Sequence, residues 1–274
     1  MTVAEAIRAA ATRLAATSDT ARFDAELLMA QALGISRSDM LLRAMGASVP
    51  EGFAALIERR AAHEPVAYIL GHQEFYGREF RVTPDVLIPR GDSETLIAAA
   101  LEVAADAALV LDLGTGSGAL LVTALLELGA AQGVGTDRSQ PALDTAEGNA
   151  RRLGLGAERA QFRRLDWRAA GWAKELDRFD LILCNPPYVE DAAELAPDVR
   201  DHEPAGALFA GPDGLDDYRI LIPQLRALMK PGGAAIFEIG FIQGDAITAL
   251  AQAHGFHAEL RHDLANRPRA VVLW

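Results

Sequence analysis

The sequence predicts an α/β protein, a doubly wound parallel sheet joined by a β-hairpin to a small all-α N-terminal domain. Three observations carry this. Short apolar runs alternate with helical patterns downstream of Leu109, the rhythm of a parallel sheet with crossover helices. One run, Leu109-Val110-Leu111-Asp112-Leu113, breaks into Gly114-Thr115-Gly116-Ser117-Gly118 and resumes as the apolar helix Ala119-Leu120-Leu121. Residues 1–72, by contrast, hold only helix-period patterns separated by caps and breakers.

In chain order, Thr2-Val3-Ala4-Glu5 is a capping box, with Val3, Ile7, Ala10 and Leu14 on one helical face behind it. A second helix is expected from Ala21 to Leu33 with its stop at Gly34, a third from about Ser36 to Met45 with its stop at Gly46, and a fourth from Pro50 to near His63. Pro65 ends the bundle. Gln73-Glu74-Phe75-Tyr76 and Glu79-Phe80-Arg81-Val82, joined around Gly77-Arg78, read as the hairpin. The expected organisation is a helical domain over 1–72, a hairpin linker over 73–90 and an α/β domain over 91–274.

Within the α/β part, the glycines after Leu113 let backbone approach a bound cofactor at a helix N-terminus. Asp137 follows Gly118 by nineteen residues, at the end of the short strand Gly133-Val134-Gly135-Thr136. A carboxylate there accepts both hydroxyl protons of a ribose. Gly114, Gly116 and Ala119 also satisfy the G-x-G-x-x-G/A dinucleotide pattern, so this half alone leaves a nicotinamide or flavin enzyme open.

After a helix from Pro141 to Leu153, a third strand, Ala160 to Leu165, ends in Asp166-Trp167. An acid and an aromatic ring suit an adenine, one taking the exocyclic amine and the other packing on the ring. The fourth strand, Phe179 to Cys184, ends in Asn185-Pro186-Pro187-Tyr188. Two prolines stiffen this loop and remove two backbone donors, which leaves its carbonyl oxygens free to accept. An amide side chain, bare carbonyls and an aromatic ring would hold a planar amino or amide group by its N–H bonds.

Bulk properties bound the rest. The chain has 274 residues, is 50% hydrophobic and carries a formal net charge of -12 from 26 Lys+Arg and 38 Asp+Glu. That leaves room for two ordinary domains with substantial cores. No stretch approaches the roughly 20 apolar residues of a membrane span, and the N-terminus shows no signal-peptide pattern, so a cytoplasmic protein without a membrane partner is expected. The one cysteine, Cys184, excludes an internal disulfide and reads as a small buried hydrophobe. The six histidines show no ligand spacing, and no metal is expected.

The order of these motifs is that of S-adenosylmethionine-dependent methyltransferases acting on planar nitrogen, and the chain resembles the protein-glutamine methyltransferases that modify peptide chain release factors. Val86-Leu87-Ile88-Pro89-Arg90 with Asp92-Ser93-Glu94 is similar to that family's I-P-R-P-x-T-E segment, with Gly91 in place of the proline and Ser93 in place of the threonine. No catalytic role is assigned to Arg90 or Glu94 on this departure. Asp201-His202-Glu203-Pro204 with Ala207-Leu208 resembles its x-x-E-P-x-x-A-L stretch. Lys230-Pro231-Gly232-Gly233 before Ala235-Ile236-Phe237-Glu238-Ile239-Gly240 resembles its fifth-strand region, and Asp263-Leu264-Ala265 with Arg267 and Arg269 its final hairpin.

The resemblance implies a seven-stranded, Rossmann-like methyltransferase sheet and a helical domain that helps recognise the protein substrate. It implies S-adenosyl-L-methionine as cofactor, S-adenosyl-L-homocysteine as product, and methylation of a glutamine amide nitrogen in a GGQ-type loop of a release factor, in support of translation termination. Gly114, Thr115, Gly116, Ser117 and Gly118 would surround the amino-acid part of the cofactor, Asp137 its ribose, and Asp166 and Trp167 its adenine, with Asn185 adjoining. Asn185, Pro186, Pro187 and Tyr188 would hold the substrate, and Asn185, Pro186 and Tyr188 would carry catalysis. A monomer that needs no nucleic acid is expected. The competing reading is a nucleic-acid methyltransferase acting on the exocyclic amine of adenine or guanine, which would use a similar proline loop. Net charge and the lack of a dense basic run weigh against it, with Arg151-Arg152, Arg159 and Arg163-Arg164 the nearest approach to one. An NAD oxidoreductase lacks a convincing hydride-transfer site downstream, and a non-catalytic scaffold would require a degraded site.

Overall fold

The computed structural model describes residues 1–129 and 131–274. The chain forms two compact units, Met1–His72 with Leu195–His202, and Gln73–Glu194 with Glu203–Trp274.

The smaller unit is helical. Helix α1 (Val3–Leu14) begins with the expected capping box, the Thr2 amide donating to the Glu5 carboxylate at 2.8 Å and the Glu5 amide to the Thr2 hydroxyl. Helix α2 (Ala21–Leu33) ends at Gly34 in the left-handed conformation. The third expected helix is instead a short α3 (Arg37–Asp39) that widens into a π-helical turn at Met40–Ala44. The wider turn accompanies the packing of Met40, Leu41, Ala44 and Met45 against one core. Helix α4 (Phe53–Ala61) starts later than Pro50, because Gly52 stands at its N-cap with φ +91°. Pro65 ends that segment and also opens a fifth helix that the sequence reading does not contain, α5 (Val66–Leu70). The core gathers Ile7, Leu14, Leu28, Met29, Met40, Phe53 and Ile57. Beside it lies a buried ion pair, with Arg60 Nε 2.8 Å from Asp24 Oδ2. Asp24 also accepts the hydroxyls of Ser18 and Thr20 at 2.7 and 2.8 Å, and Arg60 Nη2 lies 3.6 Å from Asp198 in the inserted Leu195–His202 segment.

The larger unit opens with strands β1 (His72–Phe75) and β2 (Arg78–Arg81). Tyr76 and Gly77, with φ of +52° and +70°, form the two-residue turn whose twist suits a hairpin. Then follow α6 (Glu94–Val103), β3 (Leu109–Leu113), α7 (Ala119–Glu127), β4 (Gln132–Asp137), α8 (Gln140–Arg152), β5 (Ala160–Arg164) and β6 (Phe179–Cys184). After them come the short helices α9 (Pro197–Arg200), α10 (Asp216–Leu221) and α11 (Leu225–Leu228), then β7 (Met229–Glu238), α12 (Gly244–Ala253), β8 (Ala258–His262) and β9 (Pro268–Leu273).

The seven strands from β3 onward form one sheet in the order β5-β4-β3-β6-β7-β9-β8. Strands β3 to β7 pair in parallel, and β9 runs antiparallel to β7 and β8. Alternation along the strands sends Val110, Leu181, Leu183, Ile236 and Val272 into a core with α6 and α7, and Leu111, Ile182, Cys184, Phe237 and Val271 into a second core with α10, α11 and α12. Both sheet faces are covered. That is why these strands read as continuous apolar runs rather than as alternating ones.

Candidate active site

Chain order reverses between β3, which leads outward to β4, and β6, which leads the other way to β7. Loops leaving the carboxyl ends of β3 and β6 must diverge there and leave a crevice. Leu113 pairs with Cys184, so the glycine loop and Asn185 start side by side. A cavity of about 300 Å³ sits over this point, within the size range of small-ligand sites. Gly114, Thr115, Gly116, Ser117, Asp137, Asp166, Trp167, Asn185 and Pro187 line it; Gly118, Pro186 and Tyr188 do not.

The glycine loop is built for close approach. Gly114 has φ +73°, and a Cβ on it would lie 3.1 Å from Cη2 of Trp167. The amides of Gly114 and Thr115 both donate to the Thr136 carbonyl at 2.8 Å, which ties the loop to the end of β4. Asp137 closes that strand. Its Oδ2 accepts the Gly116 amide at 3.0 Å and its Oδ1 the Ser139 amide at 2.9 Å. Each oxygen keeps a lone pair for a further donor.

The Trp167 ring packs against Gly114, and its Nε1 donates to Asp217 Oδ1 at 2.7 Å. Asp217 is fully buried and also takes the Arg168 guanidinium, with contacts of 2.9 and 3.0 Å; this holds Arg168 above its ordinary pKa. Asp166 accepts the Arg168 amide at 2.9 Å. The sequence reading omitted Asp217 and Arg168, which both line the cavity. Asp217 stands fifty residues from Trp167, and nothing in the local pattern around it announces the contact.

Tyr188 is placed otherwise than expected. Its ring packs on the core beneath the sheet end, and its hydroxyl donates to Glu238 at 3.1 Å instead of facing the cavity. The segment Pro84–Arg90 does line the cavity. The buried Glu203 carboxylate fixes it, accepting the Ile88 amide at 3.2 Å and the Arg90 guanidinium. Glu94 accepts the Tyr76 amide at 2.8 Å.

Asp112, at the floor of the glycine loop, is fully buried. Its Oδ2 takes the Thr115 hydroxyl at 2.7 Å and its Oδ1 has no partner among the described residues. Burial pushes its carboxyl up to about 7. An acid raised by folding disfavours the folded state once the unfolded chain ionises. Its stabilising share is therefore complete below the ordinary value near 3.8 and lost as pH climbs to about 7. Measured against Asp112→Asn, the parent protein should lose on the order of 2–4 kcal/mol of unfolding free energy between about pH 4 and 7. Parallel denaturation midpoints for the two proteins across that window would refute the assignment. Burial also pushes the Cys184 thiol well above its ordinary value, which suits a packing residue rather than a nucleophile.

No cluster of three or more His, Cys, Asp or Glu side chains able to hold a metal occurs among the described residues, and no helix is long and apolar enough to cross a membrane. The backbone cradle at Gly114, the paired acceptors of Asp137 and the Trp167 face at the mouth fit a nucleoside bearing an amino-acid tail.

A cavity of that kind, over the reversal point of a sheet in this strand order, belongs to the methyltransferases, and residues 105–254 match the methyltransferase domain family. The fold aligns with the crystal structure of a methyltransferase from Pyrococcus furiosus at a TM-score of 0.53, over 73% of this chain and 89% of that one, at 14% identity. Residues 5–71 match the PrmC N-terminal domain family. The chain is 45% identical to the release factor glutamine methyltransferase of Cereibacter sphaeroides over 99% of its own length and 98% of the relative's. It is 40% identical to the protein of the same name in Moorella thermoacetica over 100% and 99%. The chain belongs to the release factor glutamine methyltransferase family.

Proposed function

We propose that this chain transfers a methyl group from S-adenosyl-L-methionine to the side-chain amide nitrogen of a glutamine in a peptide chain release factor. The observation that carries the reading is Asn185. It lines the cavity beside Pro187 and next to the glycine loop, and no described residue hydrogen-bonds to its side chain. Its carboxamide is free to pair with another carboxamide.

When bound, the cofactor would supply an electrophilic methyl carbon on a sulfonium and leave as a neutral thioether, so no acid is needed for the leaving group, and the methylated nitrogen gives up one proton to water. The nucleophile is the difficulty. An amide lone pair is delocalised into its carbonyl, and the nitrogen must be held with its face toward the carbon. The Asn185 side-chain oxygen accepts one N–H from the cavity wall, and the Pro186 carbonyl, although Pro186 is not among the residues that line the cavity, is the second acceptor that fixes that plane. Withdrawal toward these acceptors raises electron density on nitrogen as the bond forms. Orientation of this kind supplies several kcal/mol of the barrier, up to roughly 7–11 in favourable model systems. Gly114 to Gly118 surround the amino-acid tail, Asp137 binds the ribose hydroxyls, and Asp166 and Trp167 meet the adenine. The helical unit serves recognition of the protein substrate.

Asp137→Ala should weaken binding of S-adenosylhomocysteine by about 1.5–3 kcal/mol, the scale of hydrogen bonds to a charged group. Titration calorimetry reads this, and unchanged affinity would remove Asp137 from the ribose site. For the reaction itself, the protein is incubated with cofactor and a release factor and the product is mapped by mass spectrometry. One added methyl on a single glutamine is the expected result. Methyl transfer to total RNA instead would favour the nucleic-acid reading. Against that reading, several arginines of the 151–164 cluster are engaged within the chain. Arg152 pairs with Glu79 at 3.1 Å, Arg159 Nε donates to the Ala131 carbonyl at 3.2 Å, and Arg164 Nε donates to the Arg138 carbonyl at 3.0 Å.

A further inference from the structure

Strand β7 ends in Glu238, a carboxylate only 1% exposed. Its Oε1 accepts the Tyr188 hydroxyl at 3.1 Å and its Oε2 accepts the Ser93 hydroxyl. The next turn supplies a second hold on the same tyrosine. Gln243 Nε2 donates to the Tyr188 carbonyl at 3.0 Å and to the Gly214 carbonyl at 3.3 Å, while its Oε1 accepts the Gly240 amide at 3.0 Å. Gly214 presses on the other side. A Cβ there would fall 2.2 Å from the Tyr188 carbonyl oxygen, and its φ of +68° suits glycine.

Tyr188 is thus gripped at its hydroxyl and at its backbone by two residues from one end of β7. Burying a carboxylate costs free energy that an apolar side chain of the same size would not, and removing one partner of such a group is costlier still. Burial pushes the Glu238 carboxyl above its ordinary value, against the pull of both hydroxyl bonds and of the Arg269 charge. The two hydroxyls it joins belong to the two segments that flank the cavity: Ser93 lines it, and Tyr188 closes the loop that begins at Asn185. Glu238 itself does not line the cavity, so it reaches the reacting atoms only through these neighbours.

We infer that Glu238 is a positioning residue that, through the Tyr188 hydroxyl, sets the Asn185-Pro186-Pro187-Tyr188 loop at the angle methyl transfer requires. The inference rests on the amide-binding role given to Asn185. Two stiff prolines transmit a displacement of Tyr188 back to Asn185, because neither φ can absorb it. A small misplacement of a reacting group is expensive in rate but not in cofactor affinity.

The test is a double-mutant cycle of Glu238→Ala and Tyr188→Phe, with Glu238→Gln alongside, read by single-turnover methyl transfer, cofactor calorimetry and amide hydrogen exchange. Glu238→Ala should lower kcat about 10- to 100-fold, with cofactor Kd held within about twofold. Glu238→Gln, which keeps an acceptor oxygen, should recover most of that loss. Tyr188→Phe should reproduce the Glu238→Ala defect, and the double variant should be no slower than the slower single one. Exchange should quicken in the peptide from Cys184 to Glu190 and stay unchanged in β3 and β4. A folded Glu238→Ala enzyme with full kcat, single losses that multiply in the double variant, or unaltered exchange in that peptide would overturn the inference. If Glu238→Ala does not fold, Tyr188→Phe decides: full kcat or unaltered exchange from Cys184 to Glu190 in that variant would overturn the inference. A wild-type enzyme that leaves release factors unmethylated would instead remove the functional reading, while the exchange measurement would still report on the loop.

Discussion

Asn185→Ala should fold normally and bind S-adenosylhomocysteine with near-parental affinity, while methyl transfer falls by about 100-fold or more. No described residue hydrogen-bonds to the side chain that is removed, so no hydrogen-bonded network is lost with it. Its backbone stays where Cys184, paired with Leu113 on one side and Phe237 on the other, places it. What disappears is one of two acceptors that fix the substrate amide plane, and with it the alignment of a nitrogen that is a weak nucleophile in any other orientation. A hundredfold loss corresponds to about 2.7 kcal/mol of transition-state stabilisation, more than a neutral hydrogen bond contributes in a ground state. The comparison therefore separates orientation from mere affinity. Single-turnover transfer to a release factor, with calorimetry on the same preparation, gives both numbers. Undiminished turnover would reject the role of Asn185, and a matching loss of cofactor affinity would move that residue into the cofactor site.

Arg60→Ala is expected to destabilise the helical unit by about 3–5 kcal/mol, the usual result of stripping one partner from a buried ion pair. Arg60 and Asp24 are 5% and 4% exposed. After the substitution Asp24 keeps two hydroxyl donors and loses the guanidinium it pairs with. The Glu64 carbonyl loses the Arg60 Nη1 donor at 3.3 Å, and Asp198 loses its anchor in the same unit. Arg60→Met, which refills the volume without charge, should do no better, because Asp24 stays buried without its partner. Adding Asp24→Asn to Arg60→Met should restore part of the loss. Chemical denaturation monitored by far-ultraviolet circular dichroism would show it, and a midpoint unchanged in Arg60→Ala would mean that water already solvates the pair.

The elements legible in the sequence were those with strong local punctuation. The Thr2 and Glu5 capping box, the left-handed stop at Gly34 and the apolar runs at Leu109–Leu113 and Phe179–Cys184 each encode their own boundaries within a few residues. Helix α5 was hidden because Pro65 is an end and a beginning at once, and five residues carry no measurable period. The π-helical turn at Met40–Ala44 was hidden because a short helical pattern does not distinguish an α-turn from a wider one. At the site the same division holds. Glycines, Asp137 and Asn185 could be named from the order of motifs alone. Asp217, Glu203 and Glu238 could not be placed, since their partners Trp167, Ile88 and Ser93 lie 50, 115 and 145 residues away. The Tyr188 hydroxyl's partner was hidden for the same reason: it is a carboxylate fifty residues downstream.

The excursion of Leu195–His202 into the helical unit gives the two units three peptide joins, after His72, after Glu194 and after His202. A cut at the first join does not yield two intact parts. The N-terminal fragment would lack eight of its own residues, Asp198 among them, and the remainder would carry an orphaned octapeptide directly before the glutamate that braces Ile88. The contacts of the smaller unit are therefore complete only once residues 195–202 have been made, after the fourth strand of the sheet has left the ribosome.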